Sequence, residues 1–387
     1  MPASNQATKG HKGLNIRFRV LVTILYGLFS AALYAQEVSK SFLADEPMDS
    51  MAKGKVFIAV DNFNFFKDNE YKSEYVEGYT LPGLWIRPKL LYYPDNQLRL
   101  ELGGQVLAYH GSEEYQLYPW FSALYMPAKG LSFRIGNLNQ DLNHGLAEPI
   151  QDSEHFLKDK PEAGIQAKFN NHWLKTDLWI DWQNMIFTGD PYREKFVFGT
   201  VAEFKLFEKG NKNLTLPLAF NGLHEGGEID TSPFPAQTHI VVSEGIRYDY
   251  KTEGPLIKSG RLECSFLQST YPMDETGLPG NYGYAFFIQT AMNTDYGSFG
   301  TGYWQSNNFF TPLGMPLFQN GAIGNTETLK NNYLFVFSYR YNRKIFDYSQ
   351  FGFTSDLFYN PSLNKLSTSA GLYLMINLSF LCGKSAD

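Results

Sequence analysis

Beyond residue 36 the chain lacks any apolar run approaching the roughly 20 residues that a membrane-spanning helix needs. That excludes a bundle of transmembrane helices. It leaves a membrane β-barrel open, because lipid-facing and lumen-facing side chains alternate along a barrel strand and average the mean hydropathy, here −0.30, toward zero. Cysteine is also scarce. With only Cys264 and Cys382, read as one strand residue and one tail residue, no disulfide-rich scaffold can form. Basic excess is missing as well: the net charge of −6 becomes −10 once the four cations of the first 35 residues are removed, which argues against nucleic acid as a partner. No Gly-x-Ser-x-Gly motif occurs, and spacing alone assembles no His/Ser or paired-carboxylate site, so catalysis is not expected.

The first 35 residues carry Lys9, Lys12, Arg17 and Arg19, no acidic residue, and an apolar run over residues 20–35. This layout predicts a cleavable secretory signal over residues 1–35, cut after Ala35, and hence export to the bacterial cell outer membrane. Residues 36–52, with Glu37, Asp45, Glu46 and Asp49, read as a periplasmic lead-in.

Near the C-terminus Leu366, Thr368, Ala370, Leu372, Leu374, Ile376, Leu378 and Phe380 interleave with Ser367, Ser369, Gly371, Tyr373, Met375, Asn377 and Ser379. Successive strand side chains point to opposite faces, so this stretch separates an apolar medium from a partly wet interior. It predicts a closing strand that ends on Phe380, followed by a tail over residues 381–387. Counted from residue 53, about 16 such period-two segments are present. The 25 Tyr, 32 Phe and 6 Trp suit interfacial aromatic girdles. The expected fold is all-β, a transmembrane antiparallel up-and-down β-barrel of about 16 strands over residues 53–380. Connections agree: short turns such as 94–97, 127–130 and 171–172 follow even-numbered strands, and long ones such as 139–161, 226–236 and 307–329 follow odd-numbered strands. Glu244 breaks the parity of its strand, which a β-bulge would explain.

If the apolar parity faces lipid, the opposite parity lines the lumen and includes Arg87, Lys89, Arg99, Glu101, Arg134, Lys168, Lys175 and Asp177. Charges of both signs there imply a wet channel, or else pairs that plug a narrow barrel. The segment 139–161 is rich in titratable groups, among them Asp141, His144, Glu148, Asp152 and Glu154. His144 and Glu148 are four apart, but one imidazole and one carboxylate fall short of the three or four protein ligands a metal site usually takes. No metal or other cofactor is expected.

This topology resembles the general bacterial porins, and residues 143–149 (Asn-His-Gly-Leu-Ala-Glu-Pro) with Trp179-Ile180-Asp181-Trp182 are similar to outer-membrane barrel proteins of the Bacteroides group. The porin resemblance implies that segment 139–161 folds inward as a constriction, its acids facing basic wall residues such as Arg87, Arg99, Arg134 or Lys168. The expected function is passive diffusion of small hydrophilic solutes. Expected partners are outer-membrane lipid and the barrel-insertion machinery, and a homo-oligomer is compatible with the pattern. Two alternatives stay open: a binding or adhesion barrel using the aromatic patch at residues 307–316, and an outer-membrane hydrolase.

Overall fold

The computed structural model describes residues 52–73, 76–138, 143–271, 281–322 and 328–384. The expected signal segment, nearly all of the expected lead-in, and Asp141 lie outside the described residues. Sixteen antiparallel strands pair each with the next, and β16 (Lys365–Lys384) returns to β1 (Lys55–Glu70), closing the barrel. Closure leaves no unpaired edge, so every strand can satisfy its backbone groups without water.

Period two decides which side chains meet lipid. In β16 Leu366 and Leu372 are exposed, while Ser367, Ser369 and Met375 on the alternate parity are buried. The same alternation places Leu102, Leu117, Ile135 and Leu178 on the outside. The closing strand runs four residues past Phe380, so Cys382 belongs to β16 and not to a tail. Both cysteines are free. The bulge expected at Glu244 is absent: β10 (Gln237–Lys251) keeps register through it, with Leu218 and Phe266 opposite, and its side chain stands on the outer face. The parity break is therefore a real carboxylate on the lipid-facing surface.

Turns after even-numbered strands are short, for instance 96–97 between β2 (Tyr79–Asp95) and β3 (Leu98–Tyr109). Two long connections fold into the barrel. The first, L1 (138–162), joins β5 (Leu131–Asn137) to β6 (Ala163–Asn170) and among its described residues contains a short helix, α1 (His155–Lys158). The second, L2 (308–330), joins β13 (Gly297–Asn307) to β14 (Asn331–Phe346). Inward from the wall, Phe287, Trp304, Leu334 and Phe358 meet Phe309, Met315 and Phe318 of L2 and Leu146 and Ile150 of L1 in one apolar cluster. The aromatic patch at 307–316 is thus core: Phe309 and Phe310 are buried, so these rings offer no exposed surface to the binding or adhesion alternative.

Candidate active site in a loop-capped lumen

L1 is pinned at three points. At its start Asn143 donates from its amide to the Leu146 carbonyl at 2.7 Å and accepts from the Gly145 N–H at 3.2 Å, forming a side-chain-stabilised turn. His144 adopts φ 54° within that turn, a left-handed conformation that a non-glycine residue holds only when its surroundings fix it. They do so here. Its ring lies flat on Trp179 of β7 (Leu174–Asn184), with centroids 3.9 Å apart. Nε2 sits 2.7 Å from Glu162, and Nδ1 sits 3.1 Å from Asp177, which Gln166 and Lys168 also approach. Burial would lower the imidazole's pKa, but the two carboxylates outweigh it and push it up to about 10. Burial opposes ionisation of Glu162 too, yet His144 and His155 hold it well below the usual carboxylate range.

At the far end Phe156 packs edge-on against Phe63 and Trp85, both at 5.3 Å. Glu154 pairs with Lys67 at 3.1 Å, accepts from Asn69 at 2.8 Å and is bonded by the Tyr79 hydroxyl. The third anchor is L2: the Asp152 N–H donates to the Leu313 carbonyl at 2.7 Å, and the Met315 N–H donates to the Glu148 carbonyl at 2.8 Å. Gly314 permits this approach, since an added Cβ would lie 2.1 Å from the Pro149 carbonyl oxygen.

Against this double cap lies a cavity of about 210 Å³. One part of its wall is apolar, with Leu146, Ile150, Phe287, Phe318, Val336 and Phe358. The other part is charged, with Lys67, Arg247, Arg261 and Arg340 near Glu148, Asp152 and Glu154. Glu148 accepts the Ser153 backbone N–H at 3.0 Å, which sets the Ser153 side chain beside the carboxyl on the cavity wall. Burial, and then the neighbouring Asp152 charge, push the Glu148 carboxyl up to about 7, with Arg340 opposing. Asp152 is itself raised by burial and by Glu154. Arg340 is held by Asp356 at 2.7 Å. A serine hydroxyl beside a carboxyl that titrates near neutrality can serve as a nucleophile with a general base, and an adjacent guanidinium can stabilise an oxyanion.

The expected lumen residues divide into three groups. Arg87, Lys89, Arg99, Glu101 and Arg134 join Asp61 in one inward network: Arg99 to Glu101 spans 2.8 Å and Lys89 to Asp61 spans 2.9 Å. Arg87 is sandwiched between Trp85 and Trp120. None of these residues borders the cavity. Lys168 and Asp177 serve His144, and Lys175 lies 3.9 Å from Glu203 near the turn side. Glu148, Asp152 and Glu154 do meet a basic wall, but Lys67, Arg247, Arg261 and Arg340 build it in place of Arg87, Arg99, Arg134 or Lys168. His144 and Glu148 share no helix and face different surroundings. Ser153 escaped sequence reasoning because it carries no motif. Strand parity could have found Arg247 and Arg261.

Comparison with known proteins places this geometry in context. Residues 48–385 match the model of the Lipid A 3'-O-deacylase-type family, and the chain belongs to that family. The expectation of a non-enzyme is corrected by this membership, since the family is named for an enzyme. Among curated protein sequences no significant match was found. Pseudomonas aeruginosa OprD, in an improved crystal structure, is 8% identical with a TM-score of 0.50, over 87% of this chain and all of that one. OmpTdeltaL8, a loop-deletion mutant of an outer membrane protein of Vibrio cholerae, is 10% identical with a TM-score of 0.49, over 85% of this chain and 100% of that one. Acinetobacter baumannii OccAB3 is 9% identical with a TM-score of 0.47, over 84% and 99% of the two chains. At such identities the likeness concerns the fold: this is a closed 16-strand outer-membrane β-barrel.

Proposed function

We propose that the chain is an outer-membrane acyl-ester hydrolase acting on glycolipid of the lipid A class, with the loop-capped cavity as its active site. The observation that carries this reading is the grouping of Ser153, the Glu148 carboxyl that its backbone N–H meets at 3.0 Å, and Arg340 on the wall of one cavity, with burial pushing that carboxyl up toward neutrality. Glu148 would take the Ser153 hydroxyl proton as the oxygen attacks the ester carbonyl. Arg340 would face the developing oxyanion, and the alkoxide leaving group would regain the proton from Glu148. Water then hydrolyses the acyl-serine by the same route. The apolar wall suits an acyl chain, and the arginines suit anionic groups on the sugar. The family name supports the substrate class.

The test is mass spectrometry of fatty acid released from purified lipid A by the barrel in detergent micelles. Wild-type release that is lost in Ser153→Ala and Glu148→Gln, with both variants still folded, is the expected result. Full activity in both variants would refute the assignment of the site.

A second reading rests on a separate observation, the inward acidic loop opposite an arginine wall. That arrangement would set a transverse field across a path for small hydrophilic solutes. Planar-bilayer recording distinguishes it: solute conduction that changes ion preference on Glu148→Gln and Asp152→Asn would favour it.

A further inference from the structure

Leu146 and Ile150 of L1 and Phe309 and Phe318 of L2 turn inward, but two neighbouring connections do the opposite. These are 185–194, between β7 and β8 (Lys195–Lys209), and 226–236, between β9 (Lys212–Glu225) and β10. Met185, Phe187, Tyr192, Ile229 and Phe234 are all exposed, Phe187 by 70% and Phe234 by 67%. The loops are nonetheless tied together. Arg193 donates to Asp230 at 2.8 Å and to the carbonyls of Pro235 at 2.7 Å and Glu225 at 3.3 Å. Thr231 donates its hydroxyl to the Asp190 carbonyl at 3.2 Å, and Asp190 accepts the Phe187 N–H at 2.8 Å. The charged groups thus hold the backbone together while the apolar groups point away.

This apolar surface continues the lipid-facing wall. On the outer parity of β7, β8 and β9, Trp182 stacks on Phe196 at 5.0 Å, Phe196 contacts His224 at 4.9 Å, and Phe198 contacts Phe220 at 5.6 Å. That cluster lies at the loop end of these strands, where an aromatic girdle meets the membrane interface. A register shift between Trp182 and Asn184 sits where β7 leaves the wall toward Met185 and Phe187.

We propose that the Arg193-clasped loops are a lipid-docking surface, immersed in the outer leaflet as an extension of the barrel's lipid-facing wall. Continuity with the aromatic girdle selects lipid as the occupant. The clasp fixes the apolar side chains at the membrane interface and lets this sector hold outer-leaflet lipid against the barrel rim.

The test places nitroxide labels on Phe187→Cys and Phe234→Cys in a Cys264→Ser, Cys382→Ser background, with the barrel in phospholipid vesicles. Asp347→Cys, in a fully exposed turn, is the water reference, and Leu372→Cys, on the outer face of β16, is the lipid reference. Oxygen collision at least several-fold above that at position 347, with exclusion of a water-soluble nickel chelate, is expected at both loop sites. The reverse pattern would overturn the proposal. So would exclusion of both reagents with spin–spin broadening that grows with protein density, which would mark a contact between copies. If a labelled variant fails to fold, a lipid-phase diazirine reagent on the unaltered protein gives the same decision. Labelled peptides over 185–192 and 229–234 support lipid docking, and their absence refutes it.

Discussion

If the cavity hydrolyses esters as proposed, the pH profile follows from the surroundings of Glu148. A general base works only when ionised, and burial together with the Asp152 charge moves this carboxyl up to about 7. Below that value the ionised fraction falls tenfold per pH unit, so turnover at pH 5 should be about 100-fold below the alkaline plateau. An ordinary glutamate, titrating near 4.5, would lose little at pH 5. Asp152→Asn removes the second of the two causes and leaves burial in place. The midpoint should therefore move toward acid without reaching the ordinary value. Glu148→Gln should lower the plateau by about 10²- to 10⁴-fold, the range typical of removing a positioned base. The assay is initial-rate release of fatty acid between pH 4.5 and 9 in a constant-ionic-strength buffer. A flat profile, or a midpoint that Asp152→Asn does not shift, would refute the role given to Glu148.

Three other outcomes test the architecture. Phe318→Ala removes a buried ring in contact with Phe287, Trp304 and Phe358, and should cost about 3 to 5 kcal/mol in a urea titration while raising single-channel conductance; unchanged values in both would mean that L2 does not seal the lumen. Arginine at Leu374 or Ile376, on the outer parity of β16, should cost about 2 to 4 kcal/mol, whereas Gln289→Arg on the cavity wall, across from Glu263, should be tolerated; equal tolerance would reverse the inside and outside faces. The seating of L1 should weaken as pH rises. His144 has a folded pKa raised from 6.5 to about 10, so its contribution is complete below pH 6.5 and is lost as pH climbs through about 10. Glu162, depressed, loses its contribution only in strong acid. Protease nicking within L1 should accordingly increase between pH 7 and 10, less steeply in His144→Gln, and a nicking rate constant over that range would contradict the imidazolium assignment.

How much of this was legible in the sequence depends on whether the signal is local. Alternation in β16 and the rhythm of short and long connections are properties of consecutive residues, so the closed antiparallel barrel could be read from them before any pairing was known. The same local logic stopped the closing strand at Phe380, because Leu381, Cys382 and Gly383 no longer alternate. The strand continues through them because β1 offers partners as far as Lys55 and Val56. Glu244 was noticed as an exception, but only the unbroken register on both sides identified it as an outward carboxylate and not as a bulge.

The site was of the other kind. Sequence could mark L1 as rich in titratable groups and Phe309-Phe310 as aromatic, but not which surface either would bury. That was decided by the wall they met: Trp179 and Asp177 for His144, Lys67 for Glu154, and Trp304 with Phe287 for the L2 aromatics. Inner-face charges were visible from parity, yet their partition was not. One set closes on itself around Asp61 and Glu101, while Arg247, Arg261 and Arg340 border the cavity. Ser153 and Arg340 stand almost half the chain apart, and the raised carboxyl between them is a product of burial, which no spacing encodes. Period two along the chain thus determined the barrel, and the inward collapse of two loops onto its far walls decided where its chemistry could lie.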